Sequence, residues 1–108
     1  MQTLEPLIRH DRVPNAEEQA VIVSAVSYLN LKAKTRYKES RQTARTILAR
    51  LRGGFTLADL KKAVDSRVAA WINDPRMKQY IRPITVWGPN MESYINVPED
   101  PNPNRPRL

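Results

Sequence analysis

Apolar positions recur at the three-and-four spacing of a helix in three long stretches of the chain. In the first, Ile22, Ala25, Val26 and Leu29 share one face. Asn15 ahead of them can cap, and Glu18 three residues on can close a capping box, which predicts a helix over about 16 to 31. The polar, basic run from Lys32 to Ser40 reads as a loop whose single aromatic, Tyr37, tucks into the core edge. In the second stretch Ala44, Ile47, Leu48 and Leu51 form the stripe of a helix from Arg41 to Arg52. Gly53 and Gly54 stop it, because the residue past a helix end commonly takes a left-handed backbone that glycine adopts at least cost. The third has Thr56 as N-cap, Asp59 near the positive dipole end and a stripe of Leu57, Leu60, Val64, Val68 and Trp71. Asn73-Asp74-Pro75 closes it.

Shorter elements follow. Met77 to Ile81 forms one further turn, Arg82-Pro83 imposes an extended backbone through Ile84, Thr85, Val86 and Trp87, and a last short helix runs from about Asn90 to Ile95 after Gly88-Pro89. Residues 1–15 carry Pro6 and Pro14 without a helical period and read as an irregular arm. In residues 97–108, Pro98, Pro101, Pro103 and Pro106 alternate with polar residues, which leaves nothing to bury and predicts a disordered tail. The expected architecture is mainly α: one small compact helical domain over 16–96, of three main helices plus one or two short ones. A chain of 108 residues has room for one core. With seven aromatics, that core leans on Leu, Ile, Val and Ala.

Charge alters this picture. The chain carries a formal +7, and the stretch from Lys32 to Arg52 holds eight cations (Lys32, Lys34, Arg36, Lys38, Arg41, Arg45, Arg50, Arg52) against one anion, Glu39, so these 21 residues supply the whole excess. A neutral scaffold with one basic segment has the electrostatics of a polyanion-binding protein, since a localised field steers and holds phosphates. On a helical wheel Arg41, Arg45 and Arg52 fall within about 40° of each other and define one ridge beside the apolar stripe. Arg50 points elsewhere and reads as a local salt-bridge partner. Arginine donates to phosphate through a bidentate fork, and phosphate contacts carry affinity without sequence preference.

Other chemistries find little support. There are no cysteines and one histidine, so thiolate metal sites, disulfides and most zinc chemistry are excluded, and no metal or other cofactor is expected. His10 has only Asp11 beside it and reads as solvated. Gly53-Gly54 lacks the Lys and Ser/Thr of a P-loop and reads as a helix cap. Asp59, Asp65, Asp74 and Glu92 form no short acid–base or two-metal motif, and each fits as a cap, dipole partner or surface charge. No catalytic constellation is present, and the expectation is a binding protein rather than an enzyme. The longest apolar run, Ala20 to Val23, is far shorter than the roughly 20 residues of a membrane span, so no membrane association is expected. Of the aromatics that could stack on unpaired bases, Tyr28, Trp71, Tyr80 and Tyr94 occupy stripe or helix-end positions that favour packing. Trp87 beside Gly88-Pro89 fits a core position and an exposed contact equally, which leaves Trp87 and Tyr80 as stacking or partner-contact candidates.

An ordered set of short motifs then carries a family likeness: Tyr28-Leu29-Asn30; Ala49-Arg50-Leu51-Arg52 with Gly54-Phe55-Thr56 and Asp59; Val64-Asp65; Trp71; Asp74-Pro75; Met77; Tyr80-Ile81-Arg82-Pro83 with Thr85; and Glu92-Ser93-Tyr94-Ile95-Asn96. Over about Ala20 to Asn96 the chain resembles the C-terminal domain of phage replisome organisers, which is related to the DnaD-like primosome proteins. The resemblance implies a small helical domain acting at replication initiation in the cytoplasm of a bacterial host. It further implies DNA binding, above all to single strands, and help in recruiting or loading the replicative helicase. Two departures stand out: the Thr-Gly usual after the first helix reads Ala33-Lys34, and the usual Leu-Phe after the Arg-Pro segment reads Val86-Trp87.

Two functions are therefore expected to compete. In the first, Lys32, Lys34, Arg36, Lys38, Arg41, Arg45 and Arg52 grip the phosphates of nucleic acid without reading sequence. In the second, a surface around Trp71, Trp87 and Tyr94 docks the host helicase or its loader, and the basic helix faces an acidic partner. Homo-oligomerisation fits either, because a thin helical core often gains stability by self-association.

Overall fold

The computed structural model describes residues 13–96, so the predicted tail and most of the predicted arm, His10 included, lie outside the described residues. Within them the fold is all helical: α1 (Ala16–Ala33), α2 (Arg41–Arg52), α3 (Leu57–Trp71), a 3₁₀ turn (Lys78–Tyr80), α4 (Pro83–Val86) and α5 (Met91–Ile95). The first and third helices begin at the caps their sequences announce. The Asn15 side chain accepts from the Glu18 amide at 2.8 Å while the Glu18 carboxylate accepts from the Asn15 amide at 2.9 Å, and Thr56 and Asp59 form the same reciprocal box ahead of α3. Ser40 caps α2 through the Thr43 amide. At the far end of α2 the Phe55 amide donates to Arg50 O and the Gly54 amide to Leu51 O. Gly54 sits at φ 102° between them, so the two carbonyls left open by the helix end are satisfied by a Schellman closure.

Two boundaries differ from expectation. The first helix continues to Ala33, which places Lys32 on the helix rather than in a loop. It ends at Lys34 in the left-handed region, φ 59° and ψ 48°. The second difference is larger. The predicted extended run 84–87 is replaced by α4, with Pro83 at its first turn. The restriction that proline places on its predecessor acts on Arg82 alone, which is extended at φ −147° and ψ 158°. Proline itself lacks only an amide that a helix start leaves unpaired, so it opens the helix instead of forbidding it.

The core joins Ile22, Ala25, Val26, Leu29 and Ala33 of α1, Ile47 of α2, and Leu60, Ala63 and Val64 of α3 to Ile81, Val86, Trp87 and Met91. α3 is the central element and packs on α1, α4 and α5, while α2 packs on α1 and α4. Trp87 is fully buried, and its indole N–H donates to Leu60 O at 3.0 Å, tying the α4–α5 corner to the first turn of α3. Trp71 and Tyr94 meet edge to face at 5.9 Å between centroids, with the Arg67 guanidinium over both rings, which fastens α5 to α3. Burial holds Arg67 below the usual guanidinium value, with Tyr94 acting in the opposite direction.

Candidate nucleic-acid interface

The basic loop is shaped by one side chain from α1. Asn30 Oδ1 accepts from the Tyr37 amide and from the Thr35 hydroxyl, each at 2.8 Å, and Asn30 Nδ2 donates to Tyr37 O at 2.8 Å. Three bonds from a single amide thus set the path of residues 35–37, and the loop presents Lys34, Arg36 and Lys38 outward, all exposed. Arg41 and Arg45, exposed on α2, continue the series. Among the described residues none of these five cations has an ion-pair partner. That leaves five unneutralised charges on one loop and the helix that follows it.

The other two expected members stand apart. Arg52 forks onto Glu18, with Nε and Nη2 at 3.1 and 3.0 Å from the two carboxylate oxygens, and Nη2 also donates to Val13 O. The sequence phase that aligned it with Arg41 and Arg45 is intact, but the packing of α1 against α2 brings Glu18 within reach, so the expected ridge of three guanidiniums holds two. The Arg52 hydrogen bonds are the foremost reason the Glu18 carboxyl lies below the ordinary glutamate range, with the Asn15 amide adding to them and burial opposing. Lys32 lies about 160° around α1 from Asn30 at 100° per residue. Its ammonium sits 5.8 Å from the centre of the Tyr28 ring on the α3 side. That ring also receives Lys61 at 5.3 Å, and its hydroxyl donates to Asp65 at 2.7 Å, a bond that raises the phenol above its usual value. Asp65, expected as a local surface charge, is therefore a tertiary partner.

Arg50 differs from expectation too: its Nε is buried with no hydrogen-bond partner. With Arg45 and Arg52 it borders an open groove of about 740 Å³ whose apolar lining comes from Leu48, Ile84 and Pro89. Of the two aromatic candidates, Trp87 is removed by its burial, since an indole filled into the core and bonded to Leu60 has no face for a base. Tyr80 is half-buried, with Arg82 stacked at 5.1 Å from its centroid. The adaptor surface expected around Trp71, Trp87 and Tyr94 is divided for the same reason: Trp71 and Tyr94 close on Arg67 while Trp87 lies in the core.

One exposed aromatic escaped the sequence reading. Tyr37 does not tuck into the core edge; it is 36% exposed, and its phenol has no hydrogen bond among the described residues. A second small cleft, about 200 Å³, runs between Tyr37, the start of α2 and Arg82 at the entrance to α4. The signal for it was available only in part, because Asn30 can clamp Tyr37 only when α1 and the loop are folded together. Among the described residues no three of His, Cys, Asp and Glu gather as a metal would need, and no helix is long and apolar enough to cross a membrane.

A small helical body with an unneutralised basic loop and helix defines the class of module. Its family is also settled: residues 25–96, two thirds of the chain, match the model of the conserved phage C-terminus family, and the chain belongs to that family. The match spans the basic loop, α2, α3 and both short helices. No curated protein and no solved structure matches the chain.

Proposed function

We propose that this protein is a phage or prophage DNA-replication accessory protein that binds single-stranded DNA through the phosphates and assists recruitment of the replicative helicase in the host cytoplasm, without being an enzyme. The observation that carries the reading is the set of five exposed cations, Lys34, Arg36, Lys38, Arg41 and Arg45, with no acidic partner among the described residues. A protein that folded with these charges merely solvated would gain nothing from gathering them, whereas a polyanion releases counterions when it meets them. The replication role and the preference for single strands rest on the likeness to replisome organisers and DnaD-like proteins.

Fluorescence anisotropy of a labelled oligothymidylate, titrated at several salt concentrations, tests it. Affinity should fall steeply with salt, and the double variant Arg41→Ala, Arg45→Ala should reduce the log–log slope by about 1.4, two phosphates' worth for a single strand. Binding that ignores salt, or that the double variant leaves intact, overturns the proposal.

A second reading, an adaptor that docks the helicase or its loader, is favoured by the groove lined by Leu48, Ile84 and Pro89 and edged by Arg45 and Arg50. Capture of host proteins repeated after nuclease treatment separates the two, since an adaptor keeps its partner when nucleic acid is destroyed.

A further inference from the structure

The 200 Å³ cleft beside the basic loop has a chemistry different from that of the phosphate-facing surface around it. Tyr37 forms one wall, Arg82 another, and Gln42, Thr46 and Ile84 complete it. Its volume lies below the 300 Å³ or so at which drug-sized sites begin, and suits a single ring system. The aromatic wall is held in advance of any ligand: the Tyr37 amide and carbonyl are both bound by Asn30, so little backbone entropy remains to be lost on binding. Arg82 is equally placed, its Nε donating to Thr85 Oγ1 at 3.0 Å and its guanidinium stacked on Tyr80. The Gln42 amide is exposed and has no hydrogen-bond partner among the described residues, so a donor and an acceptor stand open at the rim. Exposed Arg36 and Lys38 flank Tyr37 in sequence, and exposed Arg41 follows at the start of α2.

We propose that this cleft is a subsite for one unpaired nucleobase, stacked on Tyr37 and hydrogen-bonded at its edge by Gln42. The inference rests on the phosphate-binding reading and adds a base to it. A planar ring is the ligand that an aromatic wall, a guanidinium plane and a neutral amide share, and a base can enter only from a strand whose stacking is open, so the subsite would itself select single strands over duplex. An acidic peptide would satisfy Arg82 but leave the Tyr37 face without a planar partner.

The test compares the oligothymidylate with an abasic strand of the same length, which keeps every phosphate and removes every base. The wild-type protein should bind the abasic strand about ten-fold more weakly, the size of one base–aromatic stack. Tyr37→Ala should lose about the same factor on oligothymidylate and nothing on the abasic strand, so that the two probes become equivalent. Tyr37→Phe should behave as wild type, since the phenol hydroxyl has no partner to lose; a thermal melt on each variant establishes that it is folded. Equal binding of both strands by the wild type, or an equal loss on both in Tyr37→Ala, overturns the subsite while salt-sensitive binding leaves the phosphate reading standing. Failure of both strands to bind overturns the two together.

Discussion

Lys34 joins local conformation to function in a single residue. It ends α1 in the left-handed region, where an L-residue's Cβ crowds the next carbonyl at a cost of roughly 1–2 kcal/mol. It also contributes an exposed charge at the start of the basic loop. Lys34→Gly should therefore raise stability by up to about 1 kcal/mol, once the extra unfolded-state freedom of glycine is subtracted. The same change should weaken oligonucleotide binding by one contact and reduce the salt slope by about 0.7. Thermal melting and anisotropy on one sample check both; a lower melting temperature would show that the strain is not where the backbone angles put it. Its position is readable from sequence only in hindsight, because a lysine carries no sign that it must adopt a conformation usually left to glycine.

Helices α1, α2 and α3 were legible because each is longer than two turns, carries an apolar stripe and starts at a residue whose side chain can cap it. The short elements were harder to read. α4 has four residues, too few for a period to show, and the rule that a residue before proline is extended governs Arg82 alone, not the residues after Pro83. Tertiary contact is what makes so short a helix persist: Val86 is buried beneath α2 and α3, and Trp87 reaches Leu60. The turn out of α4 requires glycine for space, since a Cβ on Gly88 would stand 2.3 Å from Ile84 O, a backbone atom. Gly88→Ala should cost about 1–3 kcal/mol, the range of overpacked positions, and should displace Trp87 with the corner. A chemical melt followed by tryptophan fluorescence reads both effects, and unchanged stability would mean that the α4–α5 corner can open without loss.

On the scale of the molecule, the ion pair between Glu18 and Arg52 connects the start of α1 to the end of α2 and removes one arginine from the basic surface. Because the folded state depresses the Glu18 carboxyl, mainly through its bonds to Arg52, the pair stabilises the protein above the ordinary carboxylate value of about 4.3, and that contribution is lost as pH falls through the lower folded value. Glu18→Gln should accordingly melt below wild type at neutral pH and converge with it as the pH falls below the lowered Glu18 value. Parallel melting curves at every pH would contradict this assignment. The arginine side chain of the pair is 31% exposed, so the effect should shrink in high salt.

From the sequence alone followed the helical class, the three main helices, the N-caps of the first and third, most of the core, and the confinement of the net charge to 21 residues, since all of these depend on neighbours within a few positions along the chain. Which cations remain unneutralised, that Trp87 is core and Tyr37 surface, and that a cleft opens between the loop and α4 depended on residues far apart in the chain. Glu18 and Arg52, Asn30 and Tyr37, and Leu60 and Trp87 meet only when the helices pack. Periodicity reports which face of a helix turns inward, whereas the partner waiting on that face is chosen by the packing of the other helices against it.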